Sequence, residues 1–322
     1  MGRRRSRPGM FIAPKMHSIV WGKAEKMTAN KHSFLELPSP FSAERGVMLF
    51  HENQDADRDT LLSQVLSGQY NKPFVVDDGD TRTLYFSFAY EQSVMSLCKP
   101  TCLKALYTRK MMSFLLFQHQ PRRLLMLGLG GGSLVKYCHA NLPLSSITVV
   151  ELDPDVIAFR DHFHIPPDDY RLKVIQDDAA DYVARCRDFP DVIMIDAFDR
   201  EGFSPSLCNR EFYENVRAAL PHRGLAVANL AGKREARGAH LKMIRSVFGS
   251  NVLLLSVTED GNDVVIAFRD ACFEPQWRWI ACQAKTLESR HNLNFQRFAD
   301  KLERGKKLAY VDRFFAKLNQ PT

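Results

Sequence analysis

Apolar and polar positions follow two different periods along this chain, and the change from one to the other divides it. From residue 74 the run FVV, the turn DDGD and the run TLYFSF set β-branched and aromatic residues on both sides of a tight turn, which predicts a β-hairpin. A helix is expected from about residue 101 to about 118, with Leu103, Leu106, Tyr107, Met111, Phe114 and Leu115 on one face. After Pro121 short apolar runs alternate with helical patterns: 124–127, 147–150, 172–175, 191–195 and 225–230 each read as a strand in a strand-and-helix unit. Asp153 and Pro154 supply an N-cap and a first-turn proline for the helix behind the second strand, and a further helix is expected over about 209–220. The last two runs, NVLLLSV and DVVIAF, are joined by EDGN around Asp260 and Gly261, a hairpin signal. Residues 1–72 are weakly patterned, with HENQDADRD (51–59) as a solvated charge run, and receive no function.

Five strand-and-helix units imply an α/β protein with a parallel, doubly wound sheet. Closure of a seven-stranded, mostly parallel sheet by a terminal antiparallel hairpin is the arrangement of methyltransferase-like Rossmann folds; nicotinamide-binding Rossmann folds lack it. The expected organisation is therefore a weakly patterned region over 1–72, partly disordered, and a small N-terminal β-hairpin region over 73–98. A Rossmann-like nucleoside-binding domain over 99–270 and a basic helical tail over 271–322 complete it. In the tail Phe295, Phe298, Leu302, Leu308, Phe314 and Phe315 are the expected packing residues.

With 322 residues and 45% apolar content the chain is neither wholly disordered nor fibrous. Its formal charge of +7 changes meaning when divided: residues 1–31 carry eight basic and one acidic group, residues 269–322 eleven and six, and the segment between them twenty-five and thirty. The middle is therefore acidic, which suits a small cationic amine better than a nucleic acid. No apolar run approaches the roughly 20 residues that cross a bilayer, so no membrane partner is expected. The start, MGRRRSRPGM, lacks an apolar core behind its charges and reads as a disordered lead or a mis-assigned start, not as a signal peptide. Seven cysteines without a CxxC pair or companion histidines read as reduced, buried thiols of a cytoplasmic protein.

The candidate chemistry sits at strand ends. Gly128, Gly130 and Gly132 follow a strand and precede a helix, so a ligand can approach the backbone there; Ser133 replaces the third glycine of the nicotinamide fingerprint. Glu151, 23 residues beyond Gly128, ends the second strand where a carboxylate can accept both hydrogen bonds of a ribose diol. Asp178, with the backbone of Ala179, stands where an adenine amino group can be held, and it is also a helix N-cap. The fourth strand ends in Asp196-Ala197-Phe198-Asp199 before a loop containing Gly and Pro. Two carboxylates three apart at the mouth of the sheet can anchor a cationic amine and take its proton, which an alkylamine of pKa about 10 must lose before it attacks. His162 and His164 beside Asp168 and Asp169 read as a solvated turn, and no metal is expected; the absence of GxSxG removes a serine hydrolase.

The blocks LMLGLGGGSL, TVVELDPDVI, LKVIQDDAADYV and DVIMIDAFD, in this order behind a β-rich element, resemble the spermidine synthase (polyamine aminopropyltransferase) family over residues 74–268, roughly 60% of the chain. The resemblance implies transfer of an aminopropyl group from decarboxylated S-adenosylmethionine to a diamine, giving a polyamine and 5′-methylthioadenosine, with no metal and no tightly bound cofactor. It further implies a homodimer. By position, Gly128, Gly130 and Gly132 would line the nucleoside, Glu151 would hold the ribose, and Asp178 and Ala179 the adenine. Asp196 would be the amine-binding base, with Asp199, Gln92 and Tyr107 as substrate-binding residues. The family's glycine loop usually reads GGGDGG; its Asp corresponds to Gly131, and Lys110 stands where the family has an acid. With Arg109 and Lys110 nearby the site could instead accept a carboxylate. Two alternatives follow: an S-adenosylmethionine-dependent methyltransferase acting on a small amine or acid, and a non-catalytic nucleoside-binding homologue.

Overall fold

Strict alternation builds the first strand, β1 (Phe34–Pro38), in which Leu35 and Leu37 are buried and Glu36 and Pro38 are exposed. The computed structural model describes residues 34–40, 46–88, 90–198, 202–257 and 261–318. β1 opens an antiparallel sheet that continues through β2 (Val47–His51), β3 (Phe74–Asp77), β4 (Thr81–Ser87) and β5 (Tyr90–Ser96) in the order β1-β2-β3-β4-β5. Helix α1 (Arg58–Leu66) follows β2, and Leu61 and Val65 close a small core with Leu35, Leu37, Met48, Phe50, Tyr70 and Phe74.

The N-terminal β region therefore begins at Phe34 and not at residue 73, a correction with a physical cause. β2 is buried on both faces, Met48 and Phe50 toward α1 and Leu49 toward the main core, so its sequence VMLFH shows no alternation. The charge run over 51–59 is largely solvated as expected and also carries structural contacts: His51 Nδ1 lies 2.6 Å from Asp155 Oδ1, and Asp57 caps α1 by accepting from Asp59 N–H. Its tip at Asp55 stays in solvent.

The helix expected over 101–118 is shorter. Ala105 is extended, so α2 spans only Leu106–Met111 and passes into a 3₁₀ turn over Met112–Leu116. The side chains from Lys110 to Leu116 are all buried, which a helix with one apolar face cannot achieve.

The second sheet carries the alternating units. β6 (Arg123–Leu127), α3 (Ser133–Asn141), β7 (Ser146–Glu151), α4 (Pro154–Ala158), β8 (Leu172–Gln176), α5 (Ala179–Arg185), β9 (Val192–Ile195), α6 (Arg210–Ala219), β10 (Leu225–Leu230) and α7 (Arg234–Phe248) lead to β11 (Val252–Val257) and β12 (Asn262–Phe268). Strand order is β11-β12-β10-β9-β6-β7-β8, with β12 antiparallel to both neighbours and the pairs among β6 to β10 parallel. This is the seven-stranded, mostly parallel sheet with an antiparallel end that the pattern predicts. The chain leaves β6 toward β7 and β8 and returns to β9 on the other side. That reversal opens a crevice at the carboxyl edge between β6 and β9.

Central strands are buried on both faces, as in β9 (VIMI) and β10 (LAVANL), because helices cover both sides. One face packs α5, α6 and α7; the other packs α3, α4, the 3₁₀ turn, α8 (Trp277–His291) and α9 (Phe295–Leu318). Phe295, Phe298 and Leu302 of the basic tail are buried as expected, whereas Leu308 is 65% exposed; the side chains of Phe314 and Phe315 lie outside the described set. All seven cysteines are free, and only Cys138 and Cys186 are buried, so burial is not their common property. Among the described residues no helix is long and apolar enough to cross a membrane.

Candidate active site

Parallel register places the site. Leu127 pairs with both Val150 and Ile195, so the residues after them, Gly128, Glu151 and Asp196, meet at one edge. Two bonds extend the ladder past the last pairs: Gly128 N–H donates to Val150 O (2.8 Å) and Asp196 N–H to Leu127 O (2.9 Å). Gly128 has φ 97°, and a Cβ there would lie 2.3 Å from Asp196 O. Only glycine lets β6 and β9 end this close together.

A cavity of about 260 Å³ opens at this edge. One side of it is built from strand ends and helix caps. Glu151 Oε2 accepts from Leu129 N–H (2.8 Å) and Oε1 from Asp153 N–H (2.9 Å), which fixes the carboxylate across the glycine loop. Burial raises its pKa, against the lowering effect of these N–H donors. A carboxylate has about four acceptor sites, so the two remaining can meet a diol. Asp178 accepts from Ala180 N–H (2.7 Å) and Asp181 N–H (3.1 Å) as the N-cap of α5 and also lines the cavity with Ala179; cap and wall are one residue. Gly130 lines the cavity too, but Gly132 does not: a Cβ on it would meet Ile165 Cδ1 at 2.4 Å, so it serves the packing behind the loop.

Asp196 lies at the other end, partly exposed, with the cavity beside it. Burial in the protein pushes its carboxyl up to about 6, and hydrogen bonds from Asn229 and Tyr107 oppose the shift. Asn229 Nδ2 donates to Asp196 Oδ1 at 2.9 Å, while Asn229 Oδ1 is buried without a partner among the described residues. Gln92 and Ser93 from β5 and Tyr107 from α2 form the facing wall. Asp199 lies outside the described residues. Among the described residues Glu151, Asp153, Asp178 and Asp196 are the ionisable lining groups apart from Tyr107, so the described lining presents carboxylates and no cationic side chain.

Three features of the site escape sequence reasoning or correct it. Asn229 had a signal, being the one polar side chain in the otherwise apolar strand LAVANL. Gly131 does not leave room for the acid that the family loop carries: a Cβ there would lie 2.7 Å from Ser93 Oγ and 2.9 Å from Phe163 Cδ1. No local signal reveals this, because Ser93 and Phe163 come from distant segments. Arg109 and Lys110, expected beside the substrate, face away from it. Arg109 Nε donates to Leu103 O (2.7 Å), Lys110 Nζ donates to Ser256 O (3.0 Å), and both line a separate cavity.

The sheet order and the carboxyl-edge cavity define a methyltransferase-like Rossmann fold. Residues 104–247 match the family model described as spermine/spermidine synthase domain. A polyamine aminopropyltransferase of Chromobacterium violaceum is 32% identical over 230 residues, 71% of this chain and 88% of that relative. Among solved structures, a probable spermidine synthase from Corynebacterium glutamicum superposes with a TM-score of 0.54 at 20% identity, covering 83% of this chain and 95% of that one. Human methyltransferase-like protein 13, in complex with SAH, has the same fold at a TM-score of 0.53 and 22% identity, covering 59% of this chain and 93% of that one. The chain belongs to the spermine/spermidine synthase family, a family of enzymes that transfer aminopropyl groups.

Proposed function

We propose that the protein transfers an aminopropyl group from decarboxylated S-adenosylmethionine to a diamine, releasing 5′-methylthioadenosine. The observation that carries this reading is the pairing of a carboxylate held near pKa 6 with a cavity whose described lining carries four acids and no cation. Such a wall favours ammonium groups on both co-substrates and offers no cationic partner to the carboxylate of intact S-adenosylmethionine. Glu151 would hold the ribose, Asp178 and Ala179 the adenine, and the backbone at Gly128 and Gly130 the flank of the nucleoside. Gln92 and Tyr107, with Asp199, would bind the amine.

At Asp196 the acceptor ammonium gives up a proton to the carboxylate. The freed nitrogen lone pair attacks the carbon beside the sulfonium; the C–N bond forms as the C–S bond breaks, and its electron pair neutralises sulfur. Tyr107 and Asn229 orient the carboxylate through their hydrogen bonds to it. The family resemblance also carries a cytoplasmic homodimer into this proposal, which light scattering of the purified chain tests.

One observation favours a second reading. With no acid possible at Gly131 without moving Ser93 and Phe163, the donor's amino end loses the partner that the family loop supplies. A methyl transfer from intact S-adenosylmethionine to an amine would not need it. Incubation with each donor separates the two: 5′-methylthioadenosine formed only from the decarboxylated donor supports aminopropyl transfer, and S-adenosylhomocysteine formed from the intact donor supports methyl transfer.

A further inference from the structure

Tyr107, Phe86 and Phe198 are the aromatic side chains among the described lining of the acid-walled cavity, and the proposed reaction gives a role to Tyr107 alone. Phe198 stands two residues beyond Asp196, on the segment that continues β9. The backbone there is still extended enough to pair, and Phe198 forms an antiparallel bridge with Phe203. Positions two apart on an extended segment share a side, and Asp196 and Phe198 both line the cavity.

The Phe198 ring is held from behind. It meets the ring of Phe203 edge-on, with centroids 5.3 Å apart and an interplanar angle of 90°. Phe203 in turn stands edge-on to His240 of α7 (4.4 Å, 83°), and His240 Nε2 shares a hydrogen bond of 2.6 Å with Tyr213 OH of α6. His240 and Tyr213 are both buried. Burial lowers the His240 pKa to about 4, so near neutral pH the imidazole is a neutral ring in this stack and not a charge. Four rings therefore run from the cavity wall to the helix pair α6 and α7, and edge-to-face pairs fix ring orientation as well as bury surface.

We propose that Phe198 is a specificity-determining residue for the amine acceptor, an inference that rests on the amine-accepting reaction above, and that His240 is a positioning residue acting on it through Phe203. An aromatic ring attracts an ammonium through the quadrupole of its π-system, and the attraction strengthens where water is excluded. Beside Asp196 such a ring does not compete for the proton: the carboxylate takes it, and the ring packs against the charge and the methylenes behind it. The ligand class that fits is a primary alkylammonium on an apolar chain. An acceptor that carries a carboxylate or a phosphate gains nothing from the ring.

The test is a calorimetric titration of the full chain, saturated with 5′-methylthioadenosine, with 1,4-diaminobutane at about pH 8, above the Asp196 pKa. The expected result is saturable binding, weakened about tenfold by Phe198→Leu and kept within about twofold by Phe198→Tyr, which retains a ring. Phe198→Met also removes the ring and serves if the leucine variant folds poorly. 5′-Methylthioadenosine itself should bind these variants as it binds the wild type. His240→Gln removes a ring but keeps a polar partner for Tyr213; it should weaken diamine binding about threefold, and have no further effect in the Phe198→Leu background. Unchanged diamine binding by Phe198→Leu, or an equal loss of nucleoside binding, overturns the role of Phe198; additive effects of the two changes overturn that of His240. Turnover of decarboxylated S-adenosylmethionine by the wild type reads the reaction separately. Ring-dependent diamine binding without turnover contradicts the reaction and supports this site, turnover with ring-independent binding contradicts this site alone, and no diamine binding by the wild type contradicts both.

Discussion

Asp196 is the residue on which the proposed chemistry turns, and its pKa is where the proposal is most exposed to test. In the proposed reaction the carboxylate takes the acceptor's proton, so kcat/KM should fall about tenfold per pH unit below roughly pH 6. Tyr107 and Asn229 both lower this pKa. Tyr107→Phe and Asn229→Ala should therefore each move the acid limb to higher pH, as a pH–rate profile would show. Asp196→Asn should cost about 10²–10⁴ in kcat. Stability should move the other way. A folded pKa of about 6 against about 3.9 in an unfolded chain means that ionised Asp196 opposes folding. The penalty is absent below about pH 4, grows as pH rises, and is complete above about pH 6. Asp196→Asn should accordingly raise stability at pH 7.5 by up to about 3 kcal/mol, measured by urea unfolding. Asp196 and Glu151 were legible in the sequence because each directly follows or ends an apolar strand run, and parallel register brings such ends to one edge; Asp178 was legible as the helix N-cap shortly after the third run. Asn229 was legible only as an interruption of an apolar run, a signal that composition alone does not rank.

The glycine loop shows what an element hides from its own sequence. Gly128 and Gly132 are constrained by partners, Asp196 O and Ile165, whose proximity no local pattern announces. Gly131 reads as a lost acid, yet the structure shows its place taken by Ser93 of β5 and the ring of Phe163. Gly131→Asp should therefore destabilise the protein by about 1–3 kcal/mol through overpacking, without improving donor affinity. Adding Phe163→Ala and Ser93→Gly should recover donor affinity if the space, and not the charge, is what the loop has lost; donor titration of both variants decides it. Lys136 sets the same loop from behind. Its buried ammonium donates to Phe163 O at 2.7 Å, and burial lowers its pKa to about 8. The β2 strand was hidden for a related reason, since an apolar strand covered on both faces carries no period, whereas β1 alternates over only five residues.

At the scale of the whole molecule, the basic ends frame an acidic middle, and the C-terminal one is a packing element first. Phe295 is fully buried against Phe298 and His291, so Phe295→Ala should cost about 3–5 kcal/mol in urea unfolding while leaving the catalytic pH profile in place. Sequence pattern showed the tail as helical and docked. It could not show that the tail's cations would face those of α2, because that contact joins segments nearly two hundred residues apart. The acid-lined cavity, the family match and the carboxylate near pKa 6 all converge on an amine acceptor. The most direct measurement is product analysis with decarboxylated S-adenosylmethionine and a series of diamines. Equimolar 5′-methylthioadenosine and aminopropylated amine, abolished by Asp196→Asn, is the predicted result; no turnover of that donor, with S-adenosylhomocysteine formed from intact S-adenosylmethionine, would contradict it.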